Sequence, residues 1–263
     1  MNILDKIVVR KREEVALSKT QVSVRELKAA VNFDRDTYSL ATFLLDEKRS
    51  GIIAEFKRRS PSKGIINDTS TVEEVTKAYA AAGASALSVL TDADFFGGHK
   101  EDLLKARAVN NIPILRKDFI VDEYQIYETK AMGADIILLI AGILSPAEIK
   151  SMVALSKSLG LNVLLEVHNL VELQRSICTG VDAVGVNNRN LEDFSVNIQT
   201  SFELVDQIPN EFLKISESAI SNTSIIKELK AAGFNGFLIG ENFMKTANPG
   251  AAMDQFVREL ISV

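Results

Sequence analysis

Cysteine is nearly absent from this chain. Cys178 is the single one in 263 residues, so no internal disulfide can form, and packing inside a helix is its expected role. Histidine is almost as scarce. His99 and His168 stand far apart and have none of the short spacings that build a zinc site, so no metal is expected. Long apolar runs are missing too. The longest, Ile136 to Leu144, falls far short of the roughly 20 residues needed to span a bilayer. The opening MNILDKIVVRKREEVAL is charged throughout, unlike the apolar core of a signal peptide. A cytoplasmic protein without a membrane partner is the expectation. Nor is there an excess of positive charge: the net charge is −5, which gives nucleic acid no attracting field.

What is present is ample core material, 46% hydrophobic residues, and a recurring cassette. At Gly83, Gly133, Gly180 and Gly233 a helical pattern stops, glycine offers a left-handed cap, and an apolar strand follows. The spacing is close to two strand–helix units. Strands are expected at Gly51–Phe56, Ala86–Leu90, Ile112–Arg116, Ile136–Ile140, Val163–Val167, Ala183–Asn187, Leu213–Ser216 and Gly236–Ile239. Helices are expected at Val72–Ala82, Glu101–Val109, Asp122–Met132, Pro146–Leu159, Leu170–Cys178, Ile198–Gln207, Thr223–Ala232 and Ala251–Ile261. Eight apolar strands alternating with eight helices predict a parallel α/β fold, a (β/α)₈ TIM barrel. An open doubly wound sheet is the alternative, but no strand–GxGxxG–helix fingerprint favours it. We expect one barrel domain over residues 1–263. In it residues 1–48 form a helical extension, with an apolar stripe at Ile3, Leu4, Ile7 and Val8, and residues 49–263 form the barrel.

In such barrels the active site forms at the carboxyl ends of the strands. The first strand runs into IIAEFKRRSPSKG, and its two-residue period puts Glu55 and Lys57 on one face. By the same phase Lys117 follows Leu115, Glu166 follows Leu164, and Asn187 and Arg189 follow Ala183 and Gly185. The seventh strand ends at Glu217 and Ser218, and the eighth at Gly240 and Glu241. Each has a dull explanation: a structural Glu55–Lys57 pair, a Lys117–Asp118 pair, a half-exposed rim Glu166, turn residues at Asn187 and Asn188. Two ammoniums and three carboxylates converging on one rim can shift one another's pKa and serve as acid and base. The basic Ser/Pro loop after Lys57 is of a kind that holds a phosphorylated ligand. SESA and IGEN supply backbone N–H groups where barrels usually bind phosphate, and Lys57 is expected to reach the same anion.

These segments, with LTDADFFGGHKEDL, ILRKDFIVDEYQI, LLEVHN, VGVNNRNL, SES and LIGENFMK, resemble the indole-3-glycerol-phosphate synthase family of tryptophan biosynthesis, from about residue 1 to 260 and in the same order. The resemblance implies a (β/α)₈ barrel without metal or organic cofactor. It implies ring closure, decarboxylation and dehydration of 1-(o-carboxyphenylamino)-1-deoxyribulose 5-phosphate. It implies that Lys117 is the general acid at the ketone and that Glu166 handles protons on the anilino side. Lys57 would hold phosphate and carboxylate and act in dehydration, while Glu55 and Asn187 orient substrate and lysines. Arg189 and Glu217 would be rim contacts, Ser218, Ala219, Gly240 and Glu241 phosphate loops, and Phe96 a cover for the anthranilate ring. The expected partner is a small phosphorylated substrate, and the chain is expected to be a monomer or at most a weak dimer.

Three residues depart from the family's habit: Ala219 stands where glycine is common, His99 where serine is, and Asn242 where a small residue is. Two other readings stay open on the sequence alone. One is another phosphosugar barrel enzyme such as phosphoribosylanthranilate isomerase. The other is a non-catalytic phosphate-binding barrel.

Overall fold

Alternating apolar strands and helices produce a closed barrel in the computed structural model, which describes residues 3–190 and 194–262. The last residue of the VGVNNRNL motif, Leu191, lies outside them. The barrel strands are β1 (Ile52–Phe56), β2 (Ala86–Leu90), β3 (Ile114–Lys117), β4 (Ile136–Ile140), β5 (Asn162–Val167), β6 (Ala183–Asn187), β7 (Leu213–Glu217) and β8 (Gly236–Ile239). All neighbours pair in parallel, and β1 closes the ring by pairing with both β2 (Ile53 with Ala86) and β8 (Ile53 with Leu238). The two-residue period divides every strand. Ile53, Leu115, Leu138, Leu164, Ala183, Ile215 and Leu238 fill the interior, while Ile52, Ala54, Val89 and Ile137 pack outward against helices.

The helices follow in chain order: α1 (Ile3–Gln21), α2 (Val24–Lys28), α3 (Leu40–Leu44), α4 (Val72–Ala81), α5 (Lys100–Val109), α6 (Tyr124–Ala131), α7 (Pro146–Ser158), α8 (Leu170–Ser176), α9 (Gln199–Leu204), α10 (Thr223–Ala232), α11 (Glu241–Met244) and α12 (Pro249–Ile261). Several start on side-chain caps. Thr71, Ser145, Asn169 and Asn222 each accept a backbone N–H from the first turn of the helix they precede. Among the described residues no helix is long and apolar enough to cross a membrane.

The expected cassette glycines all adopt positive φ: 93° at Gly83, 83° at Gly133, 100° at Gly180 and 110° at Gly233. Gly180 is the exception in role. Its helix ends at Ser176, so Gly180 turns the chain four residues later, and Cys178 lies in that half-buried turn and not in a helix as expected. The third strand starts and ends later than expected, which includes Lys117 in the strand proper. The expected helix over Ile198–Gln207 is α9 followed by a 3₁₀ turn at Val205–Gln207.

The extension closes both ends of the barrel. Leu40 and Leu44 of α3 join the interior cluster, and Leu40 N–H donates to Asn162, at the start of β5. At the carboxyl end Ile7 of α1 joins the same cluster together with Phe119, with Phe96 packed on it. The apolar stripe of α1 therefore rests at the mouth of the barrel.

Candidate active site

The mouth holds a cavity of about 590 Å³, and all of the sequence-selected residues line it: Glu55, Lys57, Phe96, Lys117, Glu166, Asn187, Arg189, Glu217, Ser218, Ala219, Gly240 and Glu241. At its centre is Lys117. Its Nζ lies 2.6 Å from Glu166 Oε2 and 2.9 Å from Glu217 Oε2. The feared pairing with Asp118 does not occur, because Asp118 faces the opposite way, toward Lys11 and Arg116. Lys57 Nζ sits 2.8 Å from Glu55 Oε1. The pair is real, but it borders the cavity. The sequence placed Glu217 on the rim; instead it is buried beneath Lys117, in room left by Gly185, where a Cβ would stand 2.1 Å from Glu217 Oε1. Gly240 does the same for Glu55: a Cβ there would stand 2.9 Å from the Cβ of Glu55.

The electrostatics follow from three carboxylates around two ammoniums in a space largely closed to water. Burial alone would lower Lys117, but Glu166, Glu217 and Glu55 outweigh it and hold the ammonium above the ordinary lysine range. Burial would raise Glu166, yet Lys117 and then His168 hold it well below the usual carboxylate range. Burial does raise Glu217, and Glu166 and Glu55 add to the rise against the pull of Lys117, so that it stands at about 7. Its Oε1 is buried without a hydrogen-bond partner. One carboxyl of the cluster is thus poised to carry a proton near neutral pH.

Glu166 Oε1 accepts from Asn187 Nδ2 at 3.1 Å, and Asn187 Oδ1 accepts from Ser218 Oγ at 2.9 Å. The hydrogen-bond chain links the central carboxylate to the loop after β7. His168 was passed over in the sequence as a non-ligand. Its Nδ1 lies 3.1 Å from Glu172 Oε2, and its Nε2 lies 3.4 Å from Glu166 Oε1, an electrostatic contact longer than the hydrogen bonds around it. Burial works against charge on His168, but the two carboxylates raise it to about 10. The signal was available: His168 follows Glu166 by two residues, as Lys57 follows Glu55.

The end of the cavity where phosphate was expected is looser. Ser218 and Ala219 both hold positive φ, 68° and 64°, beside Gly240 and the start of α11. Ala219 therefore occupies a conformation that costs a residue with a Cβ about 1–2 kcal/mol. Asn242 ties α11 to the β7 loop by donating to Ser221 O at 3.2 Å. Arg189 spans the mouth from β6, with its guanidinium 3.5 Å from both Ser62 Oγ and Glu241 Oε2. The basic loop after β1 is only partly what the sequence suggested. Lys57, Ser60, Ser62 and Lys63 line the cavity, but Arg58 turns away to make a two-pronged pair with Asp102, 2.9 Å for the longer bond. His99 is exposed at the start of α5 and does not line the cavity, so its departure from the family's habit falls outside the site. Among the described residues no group of three or more His, Cys, Asp or Glu side chains is arranged to hold a metal ion.

Comparison with known proteins bears on this site. The family model for indole-3-glycerol phosphate synthase matches residues 4–259. The indole-3-glycerol phosphate synthase of Bacteroides thetaiotaomicron is 46% identical over 259 residues, which span 98% of this chain and 99% of that one. Among solved structures, 3-hexulose-6-phosphate synthase from Salmonella typhimurium superposes with a TM-score of 0.63 at 11% identity, covering 80% of this chain and 98% of its own. Native KDPGal superposes with a TM-score of 0.55 at 12% identity, covering 80% and 92%. At such identities the two structures speak for the barrel alone.

Proposed function

We propose a reaction course for this chain, which belongs to the indole-3-glycerol phosphate synthase family of carboxy-lyases. The substrate is 1-(o-carboxyphenylamino)-1-deoxyribulose 5-phosphate, held at both ends. The loops at Ser218–Ala219 and Gly240–Glu241, with Lys57, take the phosphate, and Phe96 lies over the ring. Anchoring both ends removes the entropy that keeps ring and ketone apart. As the carboxyl-bearing ring carbon attacks the ketone, its oxygen gains negative charge and takes a proton from the Lys117 ammonium. The C–CO₂ bond then breaks and its electrons return to the ring system. The hydroxyl then leaves as water with a proton from Lys57, and Glu166 takes a proton from the methylene beside the anilino nitrogen, whose C–H electrons become the ring double bond. The products are indole-3-glycerol phosphate, carbon dioxide and water.

The observation that carries this reading is Lys117 set between Glu166 and Glu217. Paired carboxylates keep the ammonium charged for the oxyanion, where a positioned donor is worth about 3–4 kcal/mol. A Glu217 that protonates near neutral pH lowers the countercharge and lets the Lys117 proton go. Asn187, hydrogen-bonded to both Glu166 and Ser218, orients the base, and Glu55 orients Lys57. In this reading Lys57 serves both binding and chemistry, so Lys57→Met raises KM and lowers kcat together. The extension and the barrel act as one domain, working as a cytoplasmic monomer without metal. Purified protein mixed with the substrate tests the proposal: indole fluorescence appears with one equivalent of carbon dioxide. A protein that consumes no substrate, or isomerises it without releasing carbon dioxide, refutes it.

A further inference from the structure

Lys11 is the most deeply buried ammonium that the proposed reaction leaves unused. It lies in the middle of α1, 1% exposed, in a stretch of mixed charge. Its Nζ is 3.0 Å from Asp92 Oδ2, 2.9 Å from Asp118 Oδ1 and 2.8 Å from Glu14 Oε2. Asp92 follows β2 and Asp118 follows β3, so one side chain joins the extension to two loops of the mouth. Each aspartate also accepts backbone N–H groups. Asp92 Oδ1 takes those of Phe95 (2.9 Å) and Phe96 (3.2 Å), and Asp118 Oδ1 takes that of Phe119 (2.8 Å). The rings of Phe96 and Phe119 face each other on the cavity wall with centroids 5.9 Å apart. Asp118 adjoins Lys117, and Thr91, bonded to Asp118 Oδ2, donates its N–H to the Lys117 carbonyl. Arg116, Glu128 and Lys100 continue the ion chain back to Ser18 of α1.

A buried ion cluster of this kind is weak evidence for stability, since a well-packed apolar replacement is often as stable; it is better suited to fixing one arrangement. We infer that Lys11 is a positioning residue, and that through Asp92 and Asp118 it sets the Phe96–Phe119 wall and the end of the strand carrying Lys117. The inference rests on the reading that this wall takes the substrate's ring. Among the described residues its ion pairs run to Glu14, Asp92 and Asp118, none of them in the loops after β7 and β8 proposed for phosphate, so its influence is expected at the ring end of the cavity.

The test uses the full chain and two fragment probes, 2-aminobenzoate for the ring end and inorganic phosphate for the other, as competitive inhibitors. For Lys11→Met we expect KM and the inhibition constant of 2-aminobenzoate to rise together, roughly ten- to a hundred-fold. The inhibition constant of phosphate stays within about two-fold, and Lys11→Arg, which keeps the charge, restores most of the loss. If Lys11→Met does not fold, the same measurements are made on Lys11→Met with Asp92→Asn, which removes one unpaired carboxylate while keeping the acceptor for Phe95 and Phe96. Equal weakening of both probes, or a folded variant with both unchanged, overturns the inference. Wild-type turnover in the same assay separates this outcome from a failure of the proposed reaction.

Discussion

The two ends of the barrel each bury an ion cluster, and the clusters are built differently. At the base, Asp135 precedes β4 and is fully buried. Its Oδ1 accepts from Arg35 Nη2 (2.7 Å) and Tyr38 N–H (2.8 Å), and its Oδ2 from Arg107 Nη1 and Ile114 N–H (2.8 Å each). Both oxygens are satisfied by fixed donors. At the mouth, Glu166 and Glu217 share the Lys117 ammonium, and one Glu217 oxygen has no partner. The difference teaches which cluster is for structure. The contrast lies in the carboxylates: Asp135 has each oxygen held by a guanidinium and a backbone N–H, although Arg35 Nε beside it is buried without a partner, whereas two carboxylates sharing one ammonium can take or release a proton as substrate arrives.

The largest effect is expected at the mouth: Glu166→Gln keeps the size of the residue but removes the proposed base, so kcat is expected to fall by about 10²–10⁴ in steady-state assays. Turnover within a few-fold of wild type would show that Glu166 is not the base. At the base of the barrel Asp135→Ala leaves Arg35 and Arg107 without their carboxylate. It should cost on the order of 3–5 kcal/mol of unfolding free energy in urea, with kcat at low temperature unchanged. A matching loss of kcat would erase the distinction between the two ends.

Glu217 sharpens the comparison through pH. Unfolded, its carboxyl titrates near the ordinary value of about 4.3, and folded it stands at about 7. Between those values the native state holds a proton that the unfolded state has released, so this group's contribution to stability falls as pH rises through the window. Glu217→Gln removes the effect. Urea unfolding at pH 5 and pH 8 should show the variant gaining on wild type by on the order of 1–3 kcal/mol at the higher pH. Parallel curves would mean that Glu217 is not raised. The smallest effect belongs to Ala219→Gly. Relief of the positive φ, offset by the entropy of glycine, should add up to about 1 kcal/mol of stability, with KM little changed. A destabilised variant would show that the left-handed backbone at Ala219 is not strained.

Much of the site was legible because strands have a strict period of two. Leu115 with Lys117, Leu164 with Glu166 and Ile53 with Glu55 alternate in phase, and the barrel then brings their ends together. What stayed hidden depends on contacts distant in sequence. Lys11 sits among RKREE and reads as a solvated lysine; only the fold brings it to Asp92 and Asp118. Arg58 reads as part of a phosphate loop, and its capture by Asp102 cannot be inferred from its neighbours. The buried place of Glu217 depends on the missing side chain at Gly185, one strand away. The positive φ of Ala219 is hinted at only by the glycine common there in the family; the alanine itself carries no such signal.

The central claim is that the Lys117 ammonium delivers the proton that closes the ring, and one measurement tests it most directly. Lys117→Ala is mixed in excess with substrate, and indole fluorescence is followed through a single turnover beside wild type. The account predicts that the variant, folded by circular dichroism, binds substrate and forms indole at least about 10²-fold more slowly. Indole appearing at close to the wild-type rate would contradict it.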